Sequence, residues 1–147
     1  MTVYSPAEGM MTLLKAANIA TDGVVTPTNW KVYIGVYQAE PDNCVTLRDT
    51  GGLNPNPRYL LDNPTVQIII RGNVNGYKEA FAKARQVKDC LLRIDPQNVG
   101  DDRWNAIVVF SDIAFIGNDD KDRPMLTLNL RAIIEPASNA ITHRVSL

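Results

Sequence analysis

The run from Met125 to Glu135 constrains this chain most: Leu126, Leu128, Leu130, Ala132 and Ile134 alternate with Thr127, Asn129 and Arg131. Successive side chains of an extended strand point to opposite faces, so this spacing predicts a strand with a single buried side. Such a strand needs a sheet to join and a layer to cover its apolar face. A further strand segment, Trp104 to Ile116, precedes it across Gly117-Asn118-Asp119-Asp120-Lys121-Asp122-Arg123-Pro124, which predicts a long hairpin at the end of the domain.

The covering layer is predicted at Asn75 to Ile94, where Tyr77, Ala80, Phe81, Ala84, Val87, Leu91 and Ile94 form an apolar stripe wide enough to cover a sheet face. Lys78, Glu79, Lys83, Arg85, Gln86, Lys88 and Asp89 lie on the opposite side, read as a solvated face with Glu79 to Lys83 and Arg85 to Asp89 in pairing register. Near the start, Ser5-Pro6-Ala7-Glu8 has the spacing of a capping box and opens a short amphipathic helix through Met10, Leu13, Leu14 and Ala17, expected to end near Asp22-Gly23.

Between the helices, Trp30, Val32, Ile34 and Val36 alternate with Lys31, Tyr33, Gly35 and Tyr37 as one strand. Cys44 to Arg48 make another after the turn residues Glu40-Pro41-Asp42-Asn43, and the two are expected to pair as an antiparallel hairpin or to reach neighbouring strands. Val66, Ile68 and Ile70 line one face of a third, with Thr65, Gln67 and Arg71 on the other. The predicted fold is α+β: a mostly antiparallel sheet with one long helix packed across it and a short N-terminal helix. Residues 1–136 are expected to form a single domain and 137–147 a C-terminal arm ordered by contact with other subunits.

With 147 residues and a net charge of -1, the chain is long enough for its own core and carries no overall charge that demands nucleic acid or an anionic membrane. No apolar run approaches the roughly 18 to 20 residues of a membrane span, and no export signal is evident, so synthesis in a cytoplasm is expected. Cys44, on a predicted strand, and Cys90, on a predicted helix, are read as thiols rather than as a disulfide.

Catalytic patterns are weak. Asp49-Thr50-Gly51 is the tripeptide of aspartic proteases, in which two aspartates share a proton, but it occurs once and follows Arg48 rather than an apolar residue. It reads more simply, with Gly52, as a turn. Asp119-Asp120-Lys121-Asp122 lacks the alternating oxygen ligands, central glycine and terminal glutamate of a calcium loop and reads as a hairpin tip. The single histidine, His143, lies in the tail, and no phosphate-binding glycine motif is present. No cofactor or metal is expected.

Asp49-Thr50-Gly51-Gly52, Pro55-x-Pro57, Asn63-Pro64-Thr65-Val66-Gln67 with Arg71-Gly72, the helix opening at Tyr77 with Ala80, and Arg123-Pro124-x-Leu126-x-Leu128-Asn129-Leu130-Arg131, in this order, resemble the small minor capsid or tail terminator proteins of tailed bacteriophages. The resemblance runs from about Pro41 to Pro136. It implies a non-enzymatic subunit of a homo-hexameric ring at the head-proximal end of the tail tube, which stops tube polymerisation and docks to the neck or head connector. The implied partners are further copies of itself, the tail tube protein and the neck or connector protein, with DNA passing through the lumen without specific binding. In that reading Asp49, Thr50, Gly51, Gly52, Pro55 and Pro57 shape a docking loop, and Arg48, Arg71, Arg123 and Arg131 make intersubunit contacts. Two alternatives stay open: a head-completion or other neck component, and an aspartate-dependent hydrolase.

Overall fold

The short N-terminal helix forms where the capping box predicts it. In the computed structural model, which describes residues 3–36, 38–55 and 60–136, helix α1 spans Pro6–Ala16. The Glu8 amide donates to the Ser5 hydroxyl at 3.1 Å and the Ser5 amide donates to the Glu8 carboxylate at 3.0 Å, so two otherwise orphaned donors are satisfied reciprocally. The helix ends at Ala16, earlier than the expected Asp22-Gly23. Asn18, at φ 58°, takes the left-handed position that a glycine was expected to fill. The Asn18 and Ile19 amides then close onto the Lys15 and Leu14 carbonyls, and Ile19 joins Leu14 in the core.

Seven strands form one sheet: β1 (Ala20–Thr21), β2 (Trp30–Ile34), β3 (Cys44–Gly52), β4 (Pro64–Arg71), β5 (Gln97–Val99), β6 (Asp102–Asn118) and β7 (Pro124–Glu135). Helix α2 (Tyr77–Leu92) connects β4 to β5. The strand order is β1-β2-β3-β4-β7-β6-β5, so β7, the clean alternator, sits inside the sheet between β4 and β6. The expected hairpin of β6 and β7 is present.

The sheet is mixed: four of its six strand pairings are antiparallel, as expected, and two are parallel. Strands β1, β2 and β3 run parallel to one another, and the hairpin expected between β2 and β3 does not form. Lys31 faces Cys44 and Ile34 faces Leu47, so residues 35–43 carry the chain back along the whole paired length before β3 begins. The paired stretch is only about 10 Å long at strand rise, short enough for nine residues to recross. Strand alternation reports which side is buried and is silent about direction.

The core lies between the sheet and the two helices. Val45 and Leu47 from β3, Val66, Ile68 and Ile70 from β4, and Leu126, Leu128 and Leu130 from β7 are fully buried. Above them pack Met10 and Leu14 of α1 and Ala80, Ala84, Val87 and Leu91 of α2. Burial of each large aliphatic side chain is worth about 1.5 to 3 kcal/mol, which makes this row the main source of stability. Trp104, at the start of β6, is the largest fully buried side chain. Cys44 and Cys90 are free thiols, and burial raises the pKa of both, which keeps them protonated and poorly nucleophilic.

Helix α2 is rotated from its expected placement. Tyr77 and Phe81, assigned to the buried stripe, are 49% and 38% exposed, while Lys83, assigned to the solvated face, is 5% exposed. The Lys83 ammonium donates to the Ile19 carbonyl at 3.1 Å and the Thr28 carbonyl at 2.9 Å, and lies 5.4 Å from the Trp30 ring centroid. Its aliphatic stem contributes packing and its head satisfies carbonyls of the β1–β2 segment, so the expected pair with Glu79 does not form. At the other strand expected to be apolar along its length, Trp30 and Val32 are buried but Ile34 and Val36 are 36% and 57% exposed, because β2 ends at Ile34. No helix among the described residues is long and apolar enough to cross a membrane.

Candidate functional site

The register of the central strands separates two loop clusters by the length of the sheet. Gly52 faces Pro64 at one end, and Arg71 faces Met125 at the other. Seven residue steps of β4 at strand rise put them about 23 Å apart.

At the β4 C-terminal end, two arginines tie together two connections, β2–β3 and β6–β7. Arg71, 3% exposed, donates from Nε to the Asp42 carbonyl at 3.1 Å and from a terminal nitrogen to the Pro41 carbonyl at 2.8 Å. Arg123, 5% exposed, donates to Asp119 Oδ2 at 2.8 Å, to Asp42 Oδ1 at 3.0 Å and to the Ala39 carbonyl at 2.7 Å. Asp119 also accepts from the backbone amides of Lys121 and Arg123, at 3.0 and 2.9 Å. Burial alone raises the Asp119 pKa, but these backbone and guanidinium donors outweigh it and hold the carboxyl below its usual value. The acidic tip expected to be merely solvated is therefore an ordered turn whose first aspartate is built into the fold.

This geometry assigns Arg71 and Arg123 to contacts within the chain. Both guanidinium groups, which the sequence reading places at subunit interfaces, make these contacts inside the subunit, where a buried cation requires close acceptors. Arg48 is exposed on β3 opposite Gln67. Arg131 is half-buried on β7, paired in register with Thr65, and its buried Nε has no acceptor among the described residues. Sequence reading missed Asp42 as an Arg123 partner. The one available signal was the four-residue spacing of Asp119 and Arg123 across a tight tip.

At the opposite end, Asp49-Thr50-Gly51-Gly52 is not a free turn but the last part of β3, with a register shift between Asp49 and Gly52. Gly51 and Gly52 have φ of 87° and 126°, and a side chain at Gly52 would strike the Asn63 carbonyl and Pro64. Asp49 Oδ1 accepts from the Ala7 amide at 2.9 Å, capping the first turn of α1 from 42 residues away in sequence. Thr50 and Thr65 join their hydroxyls at 2.7 Å. Asp49→Ala is expected to cost about 1 kcal/mol through loss of this cap, read as a lower urea midpoint with an unchanged m-value. Pro55 is exposed beyond the strand end, and Pro57 lies outside the described residues, as do His143 and the whole arm 137–147.

A third surface runs along β6. Among the described residues, strand β5 covers its outer edge only at Asp102 to Trp104, leaving the rest of that 17-residue strand paired on one side. Val109, Phe110, Phe115 and Ile116 are between 38% and 64% exposed along it. The Phe115 ring meets Tyr77 edge-on at 5.3 Å, and Tyr77 stacks at a tilt on Phe81 at 6.2 Å, so the aromatic residues missing from the core form a strip beside this edge.

No curated protein matches the sequence. The model of the bacteriophage tail terminator protein family, however, matches residues 13–136, which takes in every strand and α2. The resemblance read from the turn, loop and hairpin residues thus extends over most of the chain, and the chain belongs to the bacteriophage tail terminator protein family.

Proposed function

We propose that this structural protein of the phage tail is the subunit of a homo-hexameric ring on the head-proximal end of the tail tube. The ring halts tube polymerisation and offers its other surface to the neck or head connector, with DNA passing through the lumen without specific binding. The subunit is made in the host cytoplasm and ends in the virion, with residues 1–136 as its one domain and 137–147 as an arm that neighbouring subunits order.

The observation that carries this reading is the pair of ordered loop clusters at opposite ends of the central strands. A terminator is a joint, with the tube on one side and the neck on the other. The Arg71 and Arg123 clamp and the Asp49 to Gly52 bulge each fix a surface before any partner arrives, which lowers the ordering cost of docking. Asp49, Thr50, Gly51, Gly52 and Pro55 are the docking residues on one side, with the tip around Asp120 on the other. Arg48, exposed, and Arg131, half-buried with no acceptor for its Nε among the described residues, make intersubunit contacts, together with the surface that Arg71 and Arg123 hold in place.

Electron microscopy of lysates from the parent phage lacking this gene tests the reading. Overlong tubes without heads are expected. Tails of normal length lying detached beside filled heads would transfer the protein to a joining or head-completion role. Infectious particles assembled with Asp49→Asn would remove the remaining argument for an aspartate-dependent hydrolase.

A further inference from the structure

The length of β6 that has no outer partner among the described residues is guarded by bulges but not by lysine or proline. Between Asn105 and Asn118 there is no lysine and no proline, and the one charged residue is Asp112. Its register shifts, at Val109/Ser111, Ser111/Ala114 and Phe115/Gly117, confine the regular pairing edge to Ala106–Val109. Such an edge is too short to recruit strands indiscriminately and long enough to take four or five residues of one extended segment. At its end stand the exposed side chains of Val109 and Phe110, and further along the same strand the strip of Tyr77, Phe81 and Phe115 continues the apolar surface.

Residues 137–147 fit that lane in pattern and length. Ile141, His143, Val145 and Leu147 alternate with Thr142, Arg144 and Ser146, a period-two run with β-branched residues at three positions. The segment's one formal side-chain charge at neutral pH is Arg144, opposite in sign to Asp112, the one charge between Asn105 and Asn118, which already pairs with Lys88 at 3.3 Å while its side chain stays 66% exposed. We infer that the arm of one subunit adds as a short strand to the β6 edge of a second copy. This inference deepens the ring reading above and rests on it for the second copy, by naming the surface that receives the arm.

The exit point argues against a subunit's own edge as the receiver. β7 ends at Glu135, in register with Arg103, and β5 pairs with Asp102 to Trp104 on the far side of β6 at that same level. The arm of the same chain would have to climb over β6 and β5 to enter the lane from its blocked end.

The test uses the full chain carrying Val145→Asp, which disables its own arm whether that arm acts within or between subunits. A fluorescein-labelled peptide of residues 137–147 is titrated into it and followed by anisotropy. Saturable binding is expected, weakened at least about tenfold by adding Phe110→Asp, a substitution at a site 64% exposed that leaves the thermal midpoint unchanged. Absence of binding up to about 1 mM peptide, or binding indifferent to Phe110→Asp, overturns the inference. Sedimentation of the wild-type chain then decides the receiver: concentration-dependent association that Val145→Asp abolishes supports the second copy, and a wild-type monomer that refuses the peptide shows the lane filled by its own arm and overturns it. Tail length in the gene deletion is read independently, so the terminator assignment stands or falls apart from this result.

Discussion

Arg123→Ala is expected to lower the stability of the fold by about 3 kcal/mol, the lower part of the range for removing one partner of a buried ion pair. The side chain is almost fully buried and joins the hairpin tip to the β2–β3 connection through Asp119, Asp42 and the Ala39 carbonyl. Truncation leaves Asp119 with two backbone donors, which keeps the loss from reaching the top of that range. Urea denaturation checks it: the midpoint should fall with the m-value unchanged, and a midpoint equal to that of the wild type would show that the clamp contributes nothing. The same pair sets an acid limit. The folded Asp119 pKa lies below its unfolded value, near the ordinary 3.8, so its stabilisation is full above that value and is lost as pH falls through the folded one. The stability gap between wild type and Asp119→Asn should therefore be widest near neutral pH and close in strong acid.

The second large effect is expected at Gly9, in the middle of α1. A Cβ built there would collide with the Trp104 indole, which is 1% exposed and has no open space into which to turn. Gly9→Ala gains about 1 kcal/mol in helix propensity, and the steric cost of overpacking, about 1 to 3 kcal/mol, exceeds it. Gly9→Leu should cost about 3 kcal/mol, because three further carbons must displace α1 from the start of β6. Thermal unfolding of Gly9→Leu, Trp104→Phe and the double variant gives the decisive comparison. A coupling energy that recovers part of the loss is expected, since the smaller ring vacates space for the new side chain. Strict additivity of the two single losses would mean that the two sites do not share this contact.

Local signals carried much of this fold. The Ser5 to Glu8 box, the stripe of α2 and the alternation of β7 each depend on neighbours within a few residues, and each element appears along the stretch they indicate, although α1 ends early and α2 turns Tyr77 and Phe81 outward. What escaped depends on contacts between distant segments. Nothing in the spacing of Trp30 to Ile34 and Cys44 to Leu47 distinguishes a parallel from an antiparallel pair, and β1 and β5, of two and three residues, are too short for any period to register. Lys83 reads as a surface cation because its acceptors, the Ile19 and Thr28 carbonyls, lie 64 and 55 residues away. The site was legible to the same degree. The loops near Gly51 and Asp120 were recognisable as special, whereas the inward turn of Arg71 and Arg123 depended on the chain path of residues 39–42.

The position of β7 inside the sheet has a consequence for how the protein is made. A ribosome releases β4 long before β7, yet β4 finds its antiparallel partner on that side only in residues 124–135. Until those residues emerge, β4 presents an open edge, and its Val66, Ile68 and Ile70 lack the leucines of β7 beside them. The nascent chain can form α1, α2 and the β3–β4 pair, but it cannot close its sheet. Slowing translation through residues 72–123 should therefore lengthen the period in which this segment is vulnerable to aggregation and to proteases, whereas a pause after residue 135 should not.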